Sequence, residues 1–531
     1  MNIFLLLPTV GFFLWSIRSI LFWVNLWQLK EYRLDRLRVH FRDTIQGRKI
    51  LFSPLYLVWI LFAIFYGVVI LRDSLTSLFT VSISLFLIIQ GAYVIWEIGQ
   101  SRLKRPKVTI KTASITFLSL LSVALLFIFP LTDVYLWFVI LEFLTIFVVA
   151  LFVYAFSFPT EIYIDILSKK AHDKILKKKK LFVIAVSGSY GKSSTKEYLA
   201  HILSARYAVV KTPLSNNTRI GIATTILNCI KDTTEIFIVE MGAYKKGEIA
   251  ELCQIVRPNI SITTAVSDQH ISLYGSFENI LASESELLHA LPKDGFALFN
   301  GNNEGALELA KKTKVKKIFY KVLQNNLKEK ADIFATKVLP EKNGVTFTVH
   351  LKNKSIQYKT PLIGAHNVEN ILPTLYIAQF LGLSDEQIKE KISTLSPLQK
   401  TMVKLTLQNG AVVIDDTFNG SPESVKAALD YISLYNGKRI FVLQPLIELG
   451  QKASLRHKEI GKQCASATHL FLTNKNFYKE IMEGLESVNG TTKIVVAKPG
   501  KIAELLQTIL KKGDIALFEG KEAGVALHDI V

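Results

Sequence analysis

The sequence predicts an α-helical membrane domain followed by an α/β region that divides into two further domains. Apolar runs of bilayer-spanning length occur only in the first third, and strand-like and helix-like segments alternate after residue 180. The first of these strands leads into a glycine-rich loop that ends in lysine and serine. We therefore expect a membrane domain at 1–157, a basic connector at 158–180, a central domain at 181–395 and a C-terminal domain at 396–531.

Five apolar segments have the length that a helix needs to cross the hydrocarbon core of a bilayer. The first segment continues directly into basic sequence without a cleavage site, so we expect a transmembrane helix there and not a secretory signal peptide. The predicted spans are 3–26, 51–71, 74–96, 113–131 and 134–156.

Basic residues follow the first and the third span, whereas the other two connections are nearly uncharged. Because positively charged loops stay in the cytoplasm, this pattern places the N-terminus outside and everything after residue 156 inside. We expect a multi-pass protein of the cytoplasmic (inner) membrane whose lipid-facing basic residues meet anionic head groups. These residues are Lys30, Arg33, Arg36, Arg38, Arg42, Arg48 and Lys49 after the first span, and Arg102, Lys104, Arg105 and Lys107 after the third.

The net charge of +19 does not indicate nucleic-acid binding, because the basic residues cluster beside the apolar segments and no recognition motif is present. Cys229, Cys253 and Cys464 lack the spacing of a metal site or a disulfide framework, which fits a reducing compartment.

Two ionisable residues, Arg18 and Glu142, fall inside predicted spans, where a charge is costly and often functional. One interpretation is a structural ion pair between helices, or an Arg18 side chain that reaches the interface. The other is contact with a lipid-linked pyrophosphate or sugar. The sequence leaves both open.

The segment LFVIAVSGSYGKSSTKEYLAHIL, from Leu181, has the pattern of a buried strand, a glycine-punctuated turn and a helix. Gly188 and Gly191 let the backbone approach a phosphate, and amides at the start of the helix donate to its oxygens. The Lys192 ammonium neutralises phosphate charge, and the Ser193 hydroxyl can ligate Mg²⁺. The pattern predicts a nucleotide-phosphate site; a plain glycine-serine turn is the alternative.

SGSYGKSS resembles the phosphate loop of the Mur ligase family, and further segments follow in the order that its MurF-type branch shows. This resemblance covers the chain from about residue 180 to 531 and implies a P-loop ATPase-like central domain and a smaller Rossmann-like C-terminal domain. The Asp-Asp-x-Phe-Asn form of the last segment argues against the related folylpolyglutamate synthases. The further segments are KTPLSNNTRIG, IVEMGAYKKGEI, TTAVSDQHISLYGSFENI, ALFNGNNE, GAHNVEN and IDDTFNGSPES.

The resemblance implies an ADP-forming ligase that uses ATP and two magnesium ions. A substrate carboxylate attacks the γ-phosphate to give an acyl phosphate, and an amine then displaces phosphate to form the amide. Each implied role falls on residues that match the family's motifs. Nucleotide phosphates would be held by Gly188, Ser189, Gly191, Lys192, Ser193 and Ser194; one magnesium by Ser193 and Glu240, and a second by His270; the adenine edge by Asn300 and Asn303; the nucleotide or acyl phosphate by His366 and Asn367; and the ribose or the incoming amine by Asp415 or Asp416.

The sequence departs from the family at Glu284, where the resemblance places a carbamoylated lysine. A carbamate turns a lysine into an anion, and glutamate is an anion without modification. Our hypothesis is that Glu284 replaces the carbamate in catalysis, so that activity needs no bicarbonate. The alternative is an ordinary solvated glutamate on a helix.

Further departures lie in the C-terminal domain, in segments where the family has Gly-Arg, Gly-Asp-Met and Lys-Gly-Ser-Arg. This chain has Lys400-Thr401, Gln444-Pro445-Leu446 and Glu519-Gly520-Lys521-Glu522, although Glu448, Leu449 and Gly450 still match. The half that activates the carboxylate is thus better preserved than the half that receives the amine.

Alternating strands and helices predict mostly parallel sheets with helices on both faces. We expect a β-rich insert near 331–361, built around a Lys-Asn-Gly turn, and C-terminal strands near VVIDD, RIFVL, HLFLT and IALFE.

The UDP-sugar-binding domain of soluble MurF-type enzymes has no counterpart here, because the membrane segment occupies its place. Either a UDP-linked muropeptide binds differently, or the substrate is a polyprenyl-linked precursor held at the bilayer. The leading interpretation is a membrane-anchored ligase that joins an amino acid or a D-Ala-D-Ala-like dipeptide to a muropeptide carboxylate in peptidoglycan synthesis. A non-catalytic ATP-binding sensor or scaffold is the alternative, and an ATP-driven transporter ranks below both. The oligomeric state stays open.

Overall fold

A computed structural model describes residues 3–129, 133–214, 216–268, 271–323, 331–447 and 449–531. The chain divides into two compact units, Met1–Asp165 and Ile166–Val531, and each is described by itself.

The first unit is helical. Among the described residues, five of its helices are long and apolar enough, by length and composition, to cross a membrane, which agrees in number with the predicted spans. Two short helices that the sequence analysis did not predict lie between the first and second spans. The helices are α1 (Ile3–Leu29), α2 (Leu34–Asp43), α3 (Ile45–Leu51), α4 (Pro54–Leu71), α5 (Thr76–Gly99), α6 (Ile110–Ile128) and α7 (Val134–Lys177).

The bounds of two predicted segments differ from the structure. Helix α6 ends at Ile128, short of the predicted end at residue 131, which lies outside the described residues. Helix α7 continues without a break to Lys177, so most of the predicted connector is helical and extends the fifth span.

Arg18 forms its ion pair with Glu97 and not with Glu142, so the predicted partner was wrong. Arg18 Nε lies 2.6 Å from Glu97 Oε2 and Nη2 lies 3.1 Å from Oε1, a two-pronged contact. Helices α1 and α5 approach closely, because a Cβ on Gly91 would lie 2.7 Å from the Gly11 Cα. Glu142 instead accepts a hydrogen bond from Trp15 Nε1 at 3.1 Å.

The outside of the first unit is apolar. Large aliphatic and aromatic side chains on its long helices are more than half exposed, which is the reverse of a water-soluble bundle. Examples are Leu61, Ile64, Ile70, Val81, Phe117, Phe147 and Leu151.

The second unit is α/β and contains two sheets. Its strands are β1 (Phe182–Ser187), β2 (Val209–Lys211), β3 (Ile236–Glu240), β4 (Ile260–Thr263), β5 (Phe296–Asn300), β6 (Lys316–Val322), β7 (Ile333–Glu341), β8 (Gly344–Leu351), β9 (Lys354–Thr360), β10 (Val403–Thr406), β11 (Val412–Asp416), β12 (Arg439–Leu443), β13 (His469–Leu472), β14 (Lys493–Val496) and β15 (Ile515–Glu519). Its helices are α8 (Lys192–Leu203), α9 (Arg219–Cys229), α10 (Glu248–Val256), α11 (Ile271–Tyr274), α12 (Phe277–His289), α13 (Glu304–Lys311), α14 (Asn367–Phe380), α15 (Asp385–Ser393), α16 (Pro422–Ile432), α17 (Ala453–Gln463), α18 (Tyr478–Glu486), α19 (Pro499–Ile509) and α20 (Lys521–His528).

The first sheet has nine strands in the order β2-β3-β1-β4-β5-β6-β7-β8-β9. Pairing is parallel from β2 to β7, and β7, β8 and β9 form an antiparallel meander. Successive β1 side chains enter different cores, Ile184 one cluster and Ala185 another, so helices cover both faces. The parallel sheet and the β-rich insert near 331–361 are therefore confirmed.

The second sheet has six strands in the order β10-β11-β15-β12-β13-β14. All pairs are parallel except β10 with β11. The four predicted C-terminal strands are present, and β10 and β14 are additional edge strands.

Candidate nucleotide-binding site

The loop 188–191 joins the end of β1 to the start of α8 and depends on two glycines. Gly188 has φ +124° and Gly191 φ +81°, a region that residues with a Cβ rarely adopt. A Cβ would also lie 2.5 Å from Thr264 Oγ1 at Gly188 and 2.5 Å from Asn370 Oδ1 at Gly191. The backbone can therefore follow this tight path only with glycine at both positions.

Lys192 opens α8, and its ammonium lies against the loop. Nζ donates to the Gly188 carbonyl at 2.5 Å and to the Ser189 carbonyl at 3.1 Å. This arrangement holds a positive charge at a helix N-terminus, where free backbone N–H groups also point outward. The loop, the lysine and the helix end form a cradle suited to an anion.

Two serine side chains, Ser189 in the loop and Ser194 in α8, point toward the protein. Ser189 Oγ accepts from Ser267 N at 2.9 Å, which ties the loop to the segment after β4. Ser194 is buried. Burial raises the pKa of the Tyr198 phenol, and the Ser194 hydroxyl opposes this shift. These side chains shape the cradle, and the backbone of Ser189 is also bound by protein, since its N–H donates to the Ala265 carbonyl at 2.5 Å and its carbonyl accepts from Lys192.

Ser193 and Glu240 come together although they lie on different elements. Ser193 Oγ donates to Glu240 Oε2 at 2.8 Å, because β3 lies beside β1 and both end at the same edge of the sheet. Lys196 Nζ lies 3.1 Å from the same oxygen, and Asn217 Nδ2 lies 3.4 Å from Oε1. The hydroxyl and carboxylate of the predicted magnesium site are therefore adjacent.

Glu284 projects from α12 toward the same loop and is buried. Its Oε2 has no hydrogen-bond partner among the described residues. Burial raises the pKa of Glu284, and the Lys192 charge, the Ser187 hydroxyl and the Gly188 backbone oppose this shift. The solvated-glutamate alternative is thus not what the structure has: this carboxylate is enclosed beside the phosphate loop.

His270 lies outside the described residues. The last described residue before it, Asp268, is largely buried and pairs with two cations of the C-terminal domain. Asp268 Oδ2 lies 3.1 Å from Lys452 Nζ and 3.4 Å from Arg456 Nη2. The segment that carries His270 thus begins at a contact between the two domains.

Asn300 ends β5 and Asn303 lies three residues later, and the side chains of both already have protein partners. Asn300 Nδ2 donates to Glu369 Oε2 at 3.1 Å. Asn303 Oδ1 accepts from Val266 N at 2.9 Å and caps α13 through Ala306 N at 2.8 Å. Asn303 therefore positions the backbone at Val266 and at the start of α13.

Asn367 starts α14 and is buried, and His366, the residue just before the helix, is half-buried. Burial lowers the pKa of His366 to about 4, and its Nδ1 has no hydrogen-bond partner among the described residues. The imidazole is therefore neutral at physiological pH. Asn367 accepts from the Tyr198 hydroxyl at 2.8 Å and donates to the Ile363 carbonyl at 2.8 Å, so both ends of its amide are occupied by protein.

Asp415 and Asp416 end β11 in different surroundings. Asp415 accepts from the Thr417 backbone N–H at 3.1 Å and from the Thr417 hydroxyl at 2.5 Å. Asp416 is buried, accepts from Met402 N at 3.1 Å and faces Glu519, its register partner on β15. Burial raises the pKa of Asp416 to about 6 and that of Glu519 well above its usual value, so the two carboxyls share a proton near neutral pH.

The described residues fit magnesium at one place. Among them, no group of three or more histidine, cysteine, aspartate or glutamate side chains is arranged to hold a metal ion. Mg²⁺ commonly takes one carboxylate and completes its shell with water and phosphate oxygens. Ser193 Oγ and Glu240 Oε1 suit that mode, and the unpartnered Glu284 oxygen beside Lys192 belongs to a second carboxyl group at the same loop.

Sequence patterns did not identify Lys196, Asn217 and Glu369 as site residues. Asn217 and Glu369 lie within the family-like segments KTPLSNNTRIG and GAHNVEN, so the motifs themselves were the signal. Lys196 looked like an ordinary helix lysine, because nothing in the sequence indicates that its side chain is fully buried.

Comparisons with known proteins extend this picture. Residues 186–378 match the family model of the Mur ligase middle domain, and residues 402–522 match that of the Mur ligase glutamate ligase domain. The chain is 29% identical over 355 residues to a UDP-N-acetylmuramoyl-tripeptide--D-alanyl-D-alanine ligase of Bacillus subtilis, covering 66% of this chain and 75% of that protein. The chain spans 56 to 75% of the length of the first such relatives it matches.

Solved structures show the same fold. MurF from Acinetobacter baumannii superimposes with a TM-score of 0.61 at 24% identity, covering 68% of this chain and 79% of that chain. MurF from Thermotoga maritima, solved in complex with ADP, gives 0.59 at 24% identity, covering 69% and 82%.

Proposed function

From the middle and C-terminal domains of the Mur ligase family, which this chain carries, we infer that it is an ATP-dependent, ADP-forming amide-bond ligase of peptidoglycan synthesis. One observation supports this most directly. Lys192, the Ser193–Glu240 pair and the buried Glu284 surround a single glycine loop. These side chains place charged and polar groups at the site where the γ-phosphate of ATP would meet a substrate carboxylate.

The reaction brings two anions together, so the residues must offset their repulsion. A substrate carboxylate oxygen attacks the γ-phosphorus of ATP, ADP leaves, and an amine nitrogen then displaces phosphate from the acyl phosphate. Lys192 and the loop N–H groups would stabilise the negative charge of the transferring group. Bound Mg²⁺ would neutralise part of the phosphate charge, held by Ser193 and Glu240.

Glu284 is proposed to serve as the fixed anion of the site. Its carboxylate lies beside Lys192 and the Gly188 backbone, where a carbamate would otherwise require bicarbonate. His270 is proposed as the ligand of a second magnesium ion, which follows from its motif alone. Asn300, Asn303 and Asn367 would act mainly through the backbone and helices that they anchor.

We propose that the first unit anchors the enzyme in the cytoplasmic membrane. Five helices have the length and composition of spans, and their apolar side chains point outward where lipid would cover them. The basic loops would then place the ligase domains in the cytoplasm. A membrane anchor favours a polyprenyl-linked muropeptide as the carboxylate donor; a UDP-linked muropeptide is the alternative.

The acceptor amine is proposed to be a D-amino acid or a dipeptide. The relatives' names specify D-alanyl-D-alanine, and this chain's departures around Glu519 and Gln444 lie in the domain that would receive it. Those departures also support a second candidate function, a non-catalytic ATP-binding sensor or scaffold. The two candidates differ in whether a new amide is formed.

Product analysis tests the proposal. Purified full-length protein in nanodiscs would receive ATP, Mg²⁺, D-Ala-D-Ala and either a UDP-linked or a polyprenyl-linked muropeptide, and mass spectrometry would identify the product. We expect an amide product and one ADP for each bond formed. Nucleotide binding without any product from either carrier would support the sensor and contradict the ligase.

Lys192→Ala is the matching variant. We expect turnover to fall at least about 1,000-fold, because the main cation facing the transferring phosphate is lost. Lys211→Ala is the control, since this lysine lies on β2 and pairs with Glu197. Equal losses in both variants would contradict the assigned role of Lys192.

A further inference from the structure

Lys196 is a lysine with no exposed surface, one turn into α8. Its ammonium carries three N–H donors, and three acceptor oxygens surround it. Nζ lies 3.1 Å from Glu240 Oε2 and 3.7 Å from Glu197 Oε1, and it donates to the Leu214 carbonyl. A buried lysine is costly unless such partners surround it, so this arrangement fixes the ammonium in one place.

The same contacts fix the groups around Ser193. Glu240 Oε2 receives both the Ser193 hydroxyl and the Lys196 ammonium, which sets the rotation of the carboxylate. The Leu214 carbonyl belongs to the loop between β2 and α9, whose Asn217 amide lies 3.4 Å from the other Glu240 oxygen. One ammonium therefore orients the carboxylate directly and the asparagine loop through its backbone.

We propose that Lys196 is a positioning residue that holds Glu240 and the Leu214 loop in the geometry that accepts a magnesium–nucleotide beside Ser193. The inference rests on the proposed function, because it takes Ser193 and Glu240 as the magnesium-binding groups. Lys196 does not touch the nucleotide. It acts on magnesium affinity through the orientation of Glu240, as partners behind a metal ligand generally do.

Lys196 belongs to a row of charged side chains that continues through Glu197 to Lys211. Lys211 provides a matched control. Glu197 lies between Lys196 and Lys211, and Lys211 pairs with Glu197 without contacting Glu240. Glu197 and Lys211 line a cavity of about 460 Å³ beside the linker that follows α15. Removing the Lys211 charge alters the network while the contacts of Glu240 remain.

The test is the magnesium dependence of nucleotide binding by the full-length protein, measured with a fluorescent ADP analogue. We expect Lys196→Met and Lys196→Gln each to raise the magnesium concentration for half-maximal binding roughly tenfold or more. Binding at saturating magnesium should change by less than about threefold. Lys211→Met should leave the magnesium midpoint within about twofold. The Gln variant keeps a polar side chain and provides the test if the Met variant does not fold.

A double-mutant cycle separates positioning from general destabilisation. If Lys196 acts through Glu240, adding Lys196→Gln to Glu240→Gln should produce no further shift in the magnesium midpoint. An additive shift, or an unchanged midpoint in the single Lys196 variants, would overturn the proposal and leave the ligase function standing. A wild-type protein that binds no nucleotide at any magnesium concentration would overturn both.

Discussion

The two sheets of the second unit each place buried carboxylates at the carboxyl ends of parallel strands, but they neutralise them differently. At the end of β3, Glu240 is compensated by the Lys196 ammonium and two neutral donors. At the ends of β11 and β15, Asp416 and Glu519 face each other, with Ser424 and the Met402 N–H as their hydrogen-bond donors. A cation keeps a carboxylate ionised and available to a metal; a shared proton does not.

The two domains therefore differ in the chemistry that their charges suit. In the middle domain the charges suit phosphate and magnesium chemistry without further change. In the C-terminal domain, Glu519 stands where the family resemblance places a lysine, and burial raises the pKa values of both Glu519 and Asp416. A change of pH should therefore alter the stability of the two domains to different extents.

Among the tests of this comparison, Glu284 provides the largest expected effect, because it is the buried carboxyl next to Lys192. We expect Glu284→Gln to lower turnover roughly 100-fold, since a preorganised charge of the site is removed. Glu284→Lys should be similarly inactive without bicarbonate and partly recover when bicarbonate permits a carbamate. Both are measured as ADP release coupled to product formation.

The neighbouring Glu286 offers a matched control for this prediction. It caps α10 through the Gly247 and Ala250 N–H groups, so Glu286→Gln should reduce stability more than chemistry. Undiminished turnover of Glu284→Lys in bicarbonate-free buffer would contradict the role given to Glu284.

The shared proton predicts that stability falls as pH rises. Burial raises the pKa of Asp416 to about 6, above its value in an unfolded chain, so the native state binds more protons than the unfolded state. The slope of unfolding free energy against pH is then negative. Stability should decrease by on the order of 2 kcal/mol between about pH 4 and pH 6, where Asp416 has ionised in the unfolded chain but still holds its proton in the native state.

Thermal unfolding of the full-length protein across this pH range measures the effect. Asp416→Asn should flatten the dependence, because an amide can donate to Glu519 at every pH. Asp415→Asn is the control, since Asp415 bonds to Thr417 and not to Glu519. A wild-type protein whose stability rises steadily from pH 4 to pH 6 would rule out the shared proton.

The sequence predicted the features that are local in the chain. The glycine loop, the predicted α/β strands and the β-rich insert follow from apolar periodicity and from motifs a few residues long. Contacts between residues far apart in the sequence could not be predicted in the same way. Lys196 meets Glu240 because β3 lies beside β1, and Asp416 meets Glu519 because β15 inserts between β11 and β12; strand order is not encoded in any one segment.

The wrong partner for Arg18 has a similar origin. Glu97 was just beyond the predicted end of the third span, whereas α5 continues to Gly99, and the Gly11–Gly91 contact brings α1 against it. Asn303 shows a second limit: a motif identifies a residue, but the structure assigns its oxygen to a helix cap.

In the comparison of the two sheets, the smallest expected effect comes from substituting Ser424, which contacts Glu519. Its hydroxyl donates to Glu519 Oε1 at 2.6 Å, a bond that favours the ionised carboxylate and therefore opposes the rise in the Glu519 pKa. Ser424→Ala should cost about 1 kcal/mol of stability and should move the pH-dependent loss to higher pH, because Glu519 then keeps its proton longer. Since Ser424 also caps α16 through the Ser421 backbone N–H, Ser421→Ala serves as the control: it weakens the same helix start without touching Glu519, and its pH dependence should match that of the wild type.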